Sequence, residues 1–315
     1  MADICYIGID TSNYTTSIAI VDGEGRILAN LKAPLPVKPG ERGLRQSDAL
    51  FAHVKNLPSL MQAAEEMLRG RTVKAIGVSA RPRDAEDSYM PCFLAGVAAA
   101  ESMAAALHVP LYRFSHQNGH VMAALYSAGA LHLIGTSFAA FHVSGGTTEL
   151  LSVQPNGTDF SIKLLGGTAD LNAGQIVDRI GVAMGLSFPC GPALEKLAME
   201  NTQKAPTARI CVRDGVCNLS GLENIALKLL AETGDRPLVA AFVLDFIAET
   251  LAAMAAWARR EDAALPLLFA GGVMSNRIIA SKITARLGNS YFAEPAFSAD
   301  NAAGIALLCR AREQH

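Results

Sequence analysis

Two histidines four residues apart, His116 and His120, carry the most suggestive chemistry in the chain. On a helix that spacing brings both imidazoles to one face, close enough to share a single ion. Two ordinary surface or core histidines would show the same spacing, so both readings stand on this pair alone. A zinc-protease arrangement also needs a Glu beside the first His to activate water. Gln117 occupies that place and cannot act as a base. The pair therefore reads as ligands without a hydrolytic engine, and a third ligand has to come from elsewhere. Asp300, expected near the start of the last helix, is the leading candidate. Its plainer role would be an N-cap or first-turn acid, contributing about 1 kcal/mol.

Two short polar loops form the second group. Asp10-Thr11-Ser12-Asn13 and Ser144-Gly145-Gly146-Thr147 each fall at the bend of an expected hairpin. Backbone amides in such bends can converge on an anion, and glycine lets the chain approach a phosphate closely. Either loop alone is an ordinary turn. Two of them at matching places, together with Gly271-Gly272 between a strand and a helix, point to one nucleotide held between two lobes. Asp10 and Ser12 are the catalytic candidates, Asp10 as a group able to position metal-bound water; no base for an acceptor hydroxyl is evident. Asp178, Gly191, Glu195 and Asn276 form a third group. Asp178 and Glu195 are individually unremarkable helix acids, and Asn276 can simply cap the helix that follows Ser275.

These residues need elements to position them. Strands are expected at Ile4–Asp10, Thr16–Asp22 and 26–31, then a helix over 47–69 with Ser47 as its N-cap. A variable loop over 33–46 carries Pro34, Pro36, Pro39 and two glycines. A strand at 74–79, an Ala-rich helix at 92–108 and a strand at 109–114 lead into a helix beginning around His116. Strand, small-residue loop, Thr pair and strand then recur over 136–153, an internal repeat by organisation more than by identity. The second half reads as helices at 172–185, 192–200, 238–260 and 275–287, strands at 266–270 and 291–293, and a last helix at 299–312. Alternating strands and helices in two hairpin-led copies give an α/β protein of two lobes.

Composition agrees. Half of the 315 residues are hydrophobic and 18% are charged, which describes a well-buried globular chain with room for two cores. A net charge of −2 excludes the electrostatic footprint of a dedicated nucleic-acid binder, although not a nucleic-acid substrate brought by a partner. The N-terminal residues show no signal-peptide pattern, and the most apolar helix is interrupted by Asp245 and Glu249, so a cytoplasmic protein without a membrane span is expected. Six cysteines without a CxxC pair read as reduced core thiols.

With these residues in view, the chain resembles the tRNA threonylcarbamoyladenosine transferase family, also known as the glycoprotease family. The resemblance runs from about Ile4 to Cys309. It is carried by Ile7-Gly-Ile-Asp-Thr-Ser12, His116-Gln-Asn-Gly-His120, Val143-Ser-Gly-Gly-Thr147, Gly174-Gln-Ile-Val-Asp178, Ala270-Gly-Gly-Val-Met-Ser-Asn276 and Asp300-Asn301. It implies the actin-like ATPase fold, with two RNase H-like lobes around an interlobe nucleotide cleft: residues 1–110 plus 296–315 in the first, 111–295 in the second. It also implies one divalent metal (iron, zinc or manganese) on His116, His120 and Asp300. A substrate adenylate would lie against His142, Val143, Ser144, Gly145 and Gly146, with ribose and base contacts on Asp178, Gly191, Glu195 and Asn276. The implied ligand is ATP or an aminoacyl- or carbamoyl-adenylate, the acceptor an adenine of tRNA, and a protein partner would dock through helices of the first lobe. Departures cluster on the acceptor side. Tyr14-Thr15 replaces an acidic pair, Arg81-Pro82-Arg83 replaces a Gly-Pro-Gly turn, and Glu223 follows Ser220-Gly221-Leu222 where a basic residue is usual. The implied activities are a threonylcarbamoyltransferase-like enzyme, a non-catalytic nucleotide- and metal-binding paralogue, and, disfavoured by Gln117, a metalloprotease.

Overall fold

The computed structural model of the protein describes residues 3–12, 14–36, 44–298 and 300–315. Asn13, Pro39, Gly40, Gly43 and Ala299, on which the sequence reading draws, lie outside them. The chain divides into two compact units, Met1–Ser127 with Pro155–Ser161 and Ala296–His315, and Ala128–Gln154 with Ile162–Pro295.

The first unit opens with β1 (Ile4–Asp10), β2 (Thr15–Asp22), β3 (Ile27–Pro34), α1 (Gln46–Leu68), β4 (Thr72–Arg81), α2 (Phe93–Leu107), β5 (Leu111–Ser115) and α3 (His116–Ser127). Its sheet runs β3-β2-β1-β4-β5. The first three strands are antiparallel neighbours, while β4 and β5 run parallel to β1. The chain continues with β6 (Phe138–Val143), β7 (Thr148–Asn156), β8 (Asp159–Thr168), α4 (Ala173–Ala183), α5 (Gly191–Glu200), β9 (Val212–Arg213), β10 (Val216–Cys217), α6 (Ser220–Thr233), α7 (Arg236–Ala258), β11 (Leu267–Ala270), α8 (Arg277–Leu287) and β12 (Ser290–Phe292). This sheet runs β12-β11-β6-β7-β8-β10-β9. A short turn α9 (Pro295–Ser298) and the final helix α10 (Ala303–Glu313) complete the chain.

In the first unit the two-residue period of the strands sorts the faces. Ile7, Ile9, Ile18, Ile76 and Val78 pack with Leu57 of α1 and Ala95, Ala100 and Ala104 of α2. Each Ile so buried contributes about 1.5–3 kcal/mol relative to exposure. On the opposite face Gly8 and Gly77 stand in register on β1 and β4. A Cβ on Gly8 would sit 2.5 Å from the Ala306 amide nitrogen, and one on Gly77 2.8 Å from the Cys309 Cβ. The glycine pair thus lets α10 lie directly on the sheet. A Cβ on Gly304 would collide with the Gly119 carbonyl, so α10 also meets α3 backbone to backbone. Because β5 runs directly into α3, the first unit continues through Ser127, beyond residue 110.

In the second unit α7 is the central helix. It is long and apolar enough to cross a membrane by composition, yet Val239, Ala240, Val243, Leu244 and Leu251 are buried in the unit's own core. Five of the six cysteines are buried, and Cys211 is exposed.

Several boundaries differ from the sequence reading. Helix α1 starts at Gln46 with Arg45 at its N-cap and no side-chain capping bond, so Ser47 is not the cap. Ala33 and Pro34 belong to β3, so the variable loop is shorter than the sequence implied. Helix α8 starts at Arg277, two residues late, because a 3-10 turn over Gly272–Ser275 follows β11. Helix α10 starts at Ala303, leaving Asp300 in the segment before it. The elements β8, β9, β10 and α6 had no counterpart in the reading. Helix α6 buries only Leu222 and Ala226, too narrow an apolar stripe to stand out by period.

Gly304→Ala is expected to force α10 away from α3 and to lower stability by about 3 kcal/mol, at the upper end for overpacked positions. Urea denaturation midpoints of the variant and wild type measure this directly; an unchanged midpoint would contradict the close helix contact.

Candidate metal centre

The parallel strands β1, β4 and β5 all finish at one edge of the first unit's sheet, the edge where ligands gather in parallel α/β sheets. Asp10 closes β1, Ser79 lies near the end of β4, and Ser115 closes β5 with His116 immediately after it. The start of α3 is tied down by the segment that follows β4. Asp84 Oδ2 accepts from the Ser115 hydroxyl (3.0 Å) and from Asn118 Nδ2 (2.8 Å), while Arg81 donates to Oδ1. The Gln117 amide donates to the Pro82 carbonyl at 3.0 Å. Ser115 Oγ in turn accepts from the Asn118 amide at 3.2 Å, a side-chain cap on the helix that carries both histidines.

From that helix, His120 Nε2 lies 2.8 Å from His116 Nε2, with Asp300 Oδ1 3.3 Å and 3.6 Å from the two nitrogens respectively. Two donors each about 2.1 Å from one ion stand about 3.0 Å apart at a right angle and about 3.4 Å apart at a tetrahedral angle. The observed triangle spans that range, so these residues fit a single divalent ion. The chemistry of the set, two imidazoles and one carboxylate, suits zinc, iron or manganese.

Behind the triangle, His116 Nδ1 meets Asp10 Oδ1 at 3.1 Å. This is the carboxylate–histidine arrangement that fixes an imidazole tautomer and leaves Nε2 for an ion. Asp10 is fully buried. Ser12 donates to its Oδ2 at 2.5 Å and Ser79 donates to Oδ1. Burial pushes the Asp10 carboxyl upward, but the charge and hydrogen bond of His116 and the Ser12 hydroxyl outweigh it and hold it below the usual carboxylate range. Burial likewise presses the His116 imidazole downward, and the Asp10 carboxylate, with Asp300, overcomes that and lifts it to about 10. Asp300 is held far below its ordinary value despite burial, through hydrogen bonds and charge from both histidines.

The structure therefore brings His116, His120, Asp300, Asp10 and Ser12 into one cluster. Asp300 does not cap α10: the Ala303 amide donates to Asn301 Oδ1 at 3.1 Å instead, and the Asp300 carboxylate turns to the histidines. Ser79, Asp84 and Asn118 were not singled out from sequence. A serine directly before the helix and an asparagine three residues later form a capping pattern that could have signalled two of the connections.

The other candidates belong to the second unit. His142 and Val143 end β6, and the Ser144–Thr147 bend follows, closed by a 2.7 Å bond from the Ser144 amide to the Thr147 carbonyl. Gly145 and Gly146 are exposed, and the Gly146 amide is engaged by Ser144 Oγ. Asp178 Oδ1 accepts from the Cys190 amide at 2.8 Å, holding the start of α5 where Gly191 is the first residue. Glu195 Oε1 accepts from the Arg277 amide at 2.7 Å, and Asn276 Oδ1 accepts from the Ile278 and Ile279 amides. Asn276 is thus a cap on α8, whose first amides are engaged by the protein's own oxygens. Gly271 has φ +104° and lies against the Val143 backbone, a steric reason for that glycine that needs no phosphate, whereas a Cβ on Gly272 would meet open space.

Residues 38–307 match the TsaD family, tRNA N6-adenosine threonylcarbamoyltransferase. The chain belongs to that family. Among solved structures, HypF of T. kodakarensis aligns with a TM-score of 0.63 at 14% identity, over 99% of this chain and 48% of that one. Component A of the (R)-2-hydroxyglutaryl-CoA dehydratase of Acidaminococcus fermentans aligns with a TM-score of 0.55 at 15% identity, over 99% of this chain and 100% of that one. A ROK family glucokinase of Streptomyces griseus, in complex with glucose and AMPPNP, aligns with a TM-score of 0.53 at 15% identity, over 97% and 99% of the two chains. At such identities the likeness is one of fold, and that fold is the two-lobed actin-like ATPase fold. The family match begins after β3, so Asp10, Ser12 and the Tyr14-Thr15 departure lie outside it.

Two outcomes follow for this candidate centre. Without metal, the folded-state pKa of His116 is raised above the unfolded value of about 6.5. Stability from this pairing is therefore complete between the unfolded carboxylate value of about 3.9 and about pH 6.5, is lost as pH rises through about 10, and is lost again as pH falls through the depressed Asp10 value. An ion must displace that proton, so Mn2+ affinity measured by calorimetry at pH 6, 7.5 and 9 should tighten at each step; pH-independent affinity would contradict the pairing. Asp10→Asn should weaken Mn2+ binding by about 10–100-fold, the usual cost of losing a carboxylate behind a ligating imidazole.

Proposed function

We propose that the protein is a metal-dependent acyl- or carbamoyl-group transferase of the tRNA-modifying type, binding an adenine nucleotide or adenylate. The observation that carries this reading is the convergence of His116, His120 and Asp300, with Asp10 behind His116, in a chain of the TsaD family.

In this reading His116 and His120 offer neutral Nε2 atoms, and Asp300 offers a carboxylate oxygen. Asp10 holds the His116 Nδ1 proton and so fixes the tautomer, while Ser12 and Ser79 keep Asp10 in place. A bound divalent ion supplies Lewis acidity toward a phosphate or carbamate oxygen. On the second unit, Gly145 and Gly146 offer an exposed, side-chain-free surface to an adenylate. Asp178 and Glu195 each spend one oxygen on a backbone amide and keep a second for a ribose hydroxyl or base edge. Gly191 and Asn276 complete that set. The acceptor in this proposal is tRNA, a protein partner docks through the helices of the first unit, and the setting is cytoplasmic.

One observation favours a second reading, a nucleotide- and metal-binding protein without turnover. Tyr14 and Thr15 supply no carboxylate next to Ser12, and the Tyr14 carbonyl is occupied by the Leu35 amide at 2.8 Å. The deciding experiment incubates the purified protein and its partner proteins with threonine, bicarbonate, ATP and unmodified tRNA. Formation of threonylcarbamoyladenosine that disappears in His116→Ala supports transfer. Tight ATP and Mn2+ binding with no product, beside an active control enzyme, supports the second reading instead.

A further inference from the structure

His53 of α1 is fully buried, and no step proposed above uses it. Its Nδ1 lies 2.9 Å from the Thr16 hydroxyl of β2. Asn56, three residues further along α1, donates from Nδ2 to the same Thr16 oxygen at 3.1 Å. A hydroxyl has one hydrogen to give, and with Asn56 donating to its oxygen that hydrogen serves the His53 Nδ1. The arrangement that uses every donor is therefore a neutral ring with Nδ1 bare and the proton on Nε2. Nε2 has no hydrogen-bond partner among the described residues.

Thr16 sits where this bond matters to the rest of the unit. It precedes Ser17, which pairs with Asp10, and follows Thr15, whose amide donates to the Ser12 carbonyl at 3.2 Å. The His53–Thr16 bond thus fastens α1 to the β1–β2 hairpin that carries Asp10 and Ser12.

A proton on His53 removes the basis of that bond. Nδ1 would become a donor facing an oxygen that already accepts from Asn56, and the Thr16 hydrogen would lose its acceptor. A charge would also stand in the interior. The elements packed against α1 are β2, β3 and α2, and they offer that charge little. Asp22 lies at the far end of β2 and is paired with Arg26. Lys32 of β3 pairs with Ser17 and so lies on the sheet face away from Thr16. The start of α2 contributes the buried Cys92 thiol and Phe93, while Glu101 is exposed and paired with Arg113. On α1 itself Arg45, Asp48 and Lys55 are exposed. Asp10 is the carboxylate that acts on His53, yet its oxygens are already held by Ser12, Ser79 and His116. Burial outweighs Asp10 and holds the His53 ring below the ordinary histidine range.

We propose that His53 is a pH-sensitive latch. Neutral, it takes the Thr16 hydroxyl at Nδ1 and fastens α1 to the β1–β2 hairpin; protonated, it gives up that bond and α1 loosens. Because the folded value is lowered, the latch is complete above the unfolded value of about 6.5 and is lost as pH falls through the folded one. The latch requires no ion and stands apart from the metal reading. The His116–Asp10 pairing cannot supply the effect, since on acidification from pH 7.5 to 5 it gains stability.

The test uses the full chain as wild type and as His53→Asn, which keeps an acceptor near the Nδ1 position and does not titrate. Hydrogen exchange of the α1 amides is measured at pH 7.5 and pH 5 and corrected for the intrinsic exchange rates. Opening of α1 in wild type should rise by about tenfold, the change for one unit of pKa difference, and should stay level in His53→Asn. Fluorescence of Trp257 in the second unit should hold constant, since a shared transition would be global unfolding and not a latch. Nitrogen-15 shifts of the wild-type ring should show the Nε2–H tautomer at pH 7.5 and a midpoint below 6.5. A proton on Nδ1, a midpoint at 6.5 or above, or α1 opening that is flat in wild type or rises equally in His53→Asn overturns the latch. Should His53→Asn fail to hold α1 at pH 7.5, the tautomer and midpoint of the wild-type ring decide.

Discussion

A carboxylate buried at the end of a β-strand must be neutralised where it stands, and Asp10 imposes that demand on everything around it. Its two oxygens are met by Ser12, Ser79 and His116, from the turn after β1, from β4 and from the first residue of α3. Removing His116 would leave that charge without its partner in the interior, and removing Ser12 or Ser79 would leave a buried oxygen without its donor, each more costly than losing a surface contact. The pairing therefore orders three chain segments at once. It also turns the His116 ring so that Nε2 faces His120 and Asp300.

That ordering would be idle without the close approach of α10. Two in-register glycines let the helix rest on β1 and β4, and Gly304 against Gly119 brings it onto α3. The segment ahead of α10 is then delivered to the histidines, and Asp300 is drawn off the helix end to meet them. Core packing and site geometry are here the same contacts, so the Gly119-His120 end of the motif serves both. Gly119 is the residue through which α3 touches α10, one position before a candidate ligand.

The second unit handles its polar groups differently. Asp178, Glu195 and Asn276 each hold the start of a helix through a backbone amide. A side chain anchored by one oxygen is restricted in rotamer, and its remaining atoms are presented in a defined direction at little further entropic cost. Structural capping and ligand contact are thus compatible in these residues, and under the proposed function recognition would fall to side chains and to the exposed glycines of the β6–β7 bend, because the helix ends are already closed by protein oxygens.

Much of this was legible in the residues themselves. The alternation of apolar and small residues in Ile7-Gly8-Ile9 marks a strand with two unlike faces, and the spacing of His116 and His120 fixes their common side of a helix, because both periods are local properties of the backbone. The same holds for most element positions, while narrow stripes such as that of α6 escaped notice. Other features could not be read locally. That Asp300 leaves α10 for the histidines and that Asp84 secures the start of α3 both depend on residues far apart in the chain. Sequence by itself determined that His116, His120 and Asp300 could ligate and that the two histidines share one helix, while Ser79, Asp84 and Asn118 went unmarked. Only the tertiary structure decided which of those roles each one takes, because a buried charge or helix end is satisfied by whatever the packed chain brings within hydrogen-bonding distance.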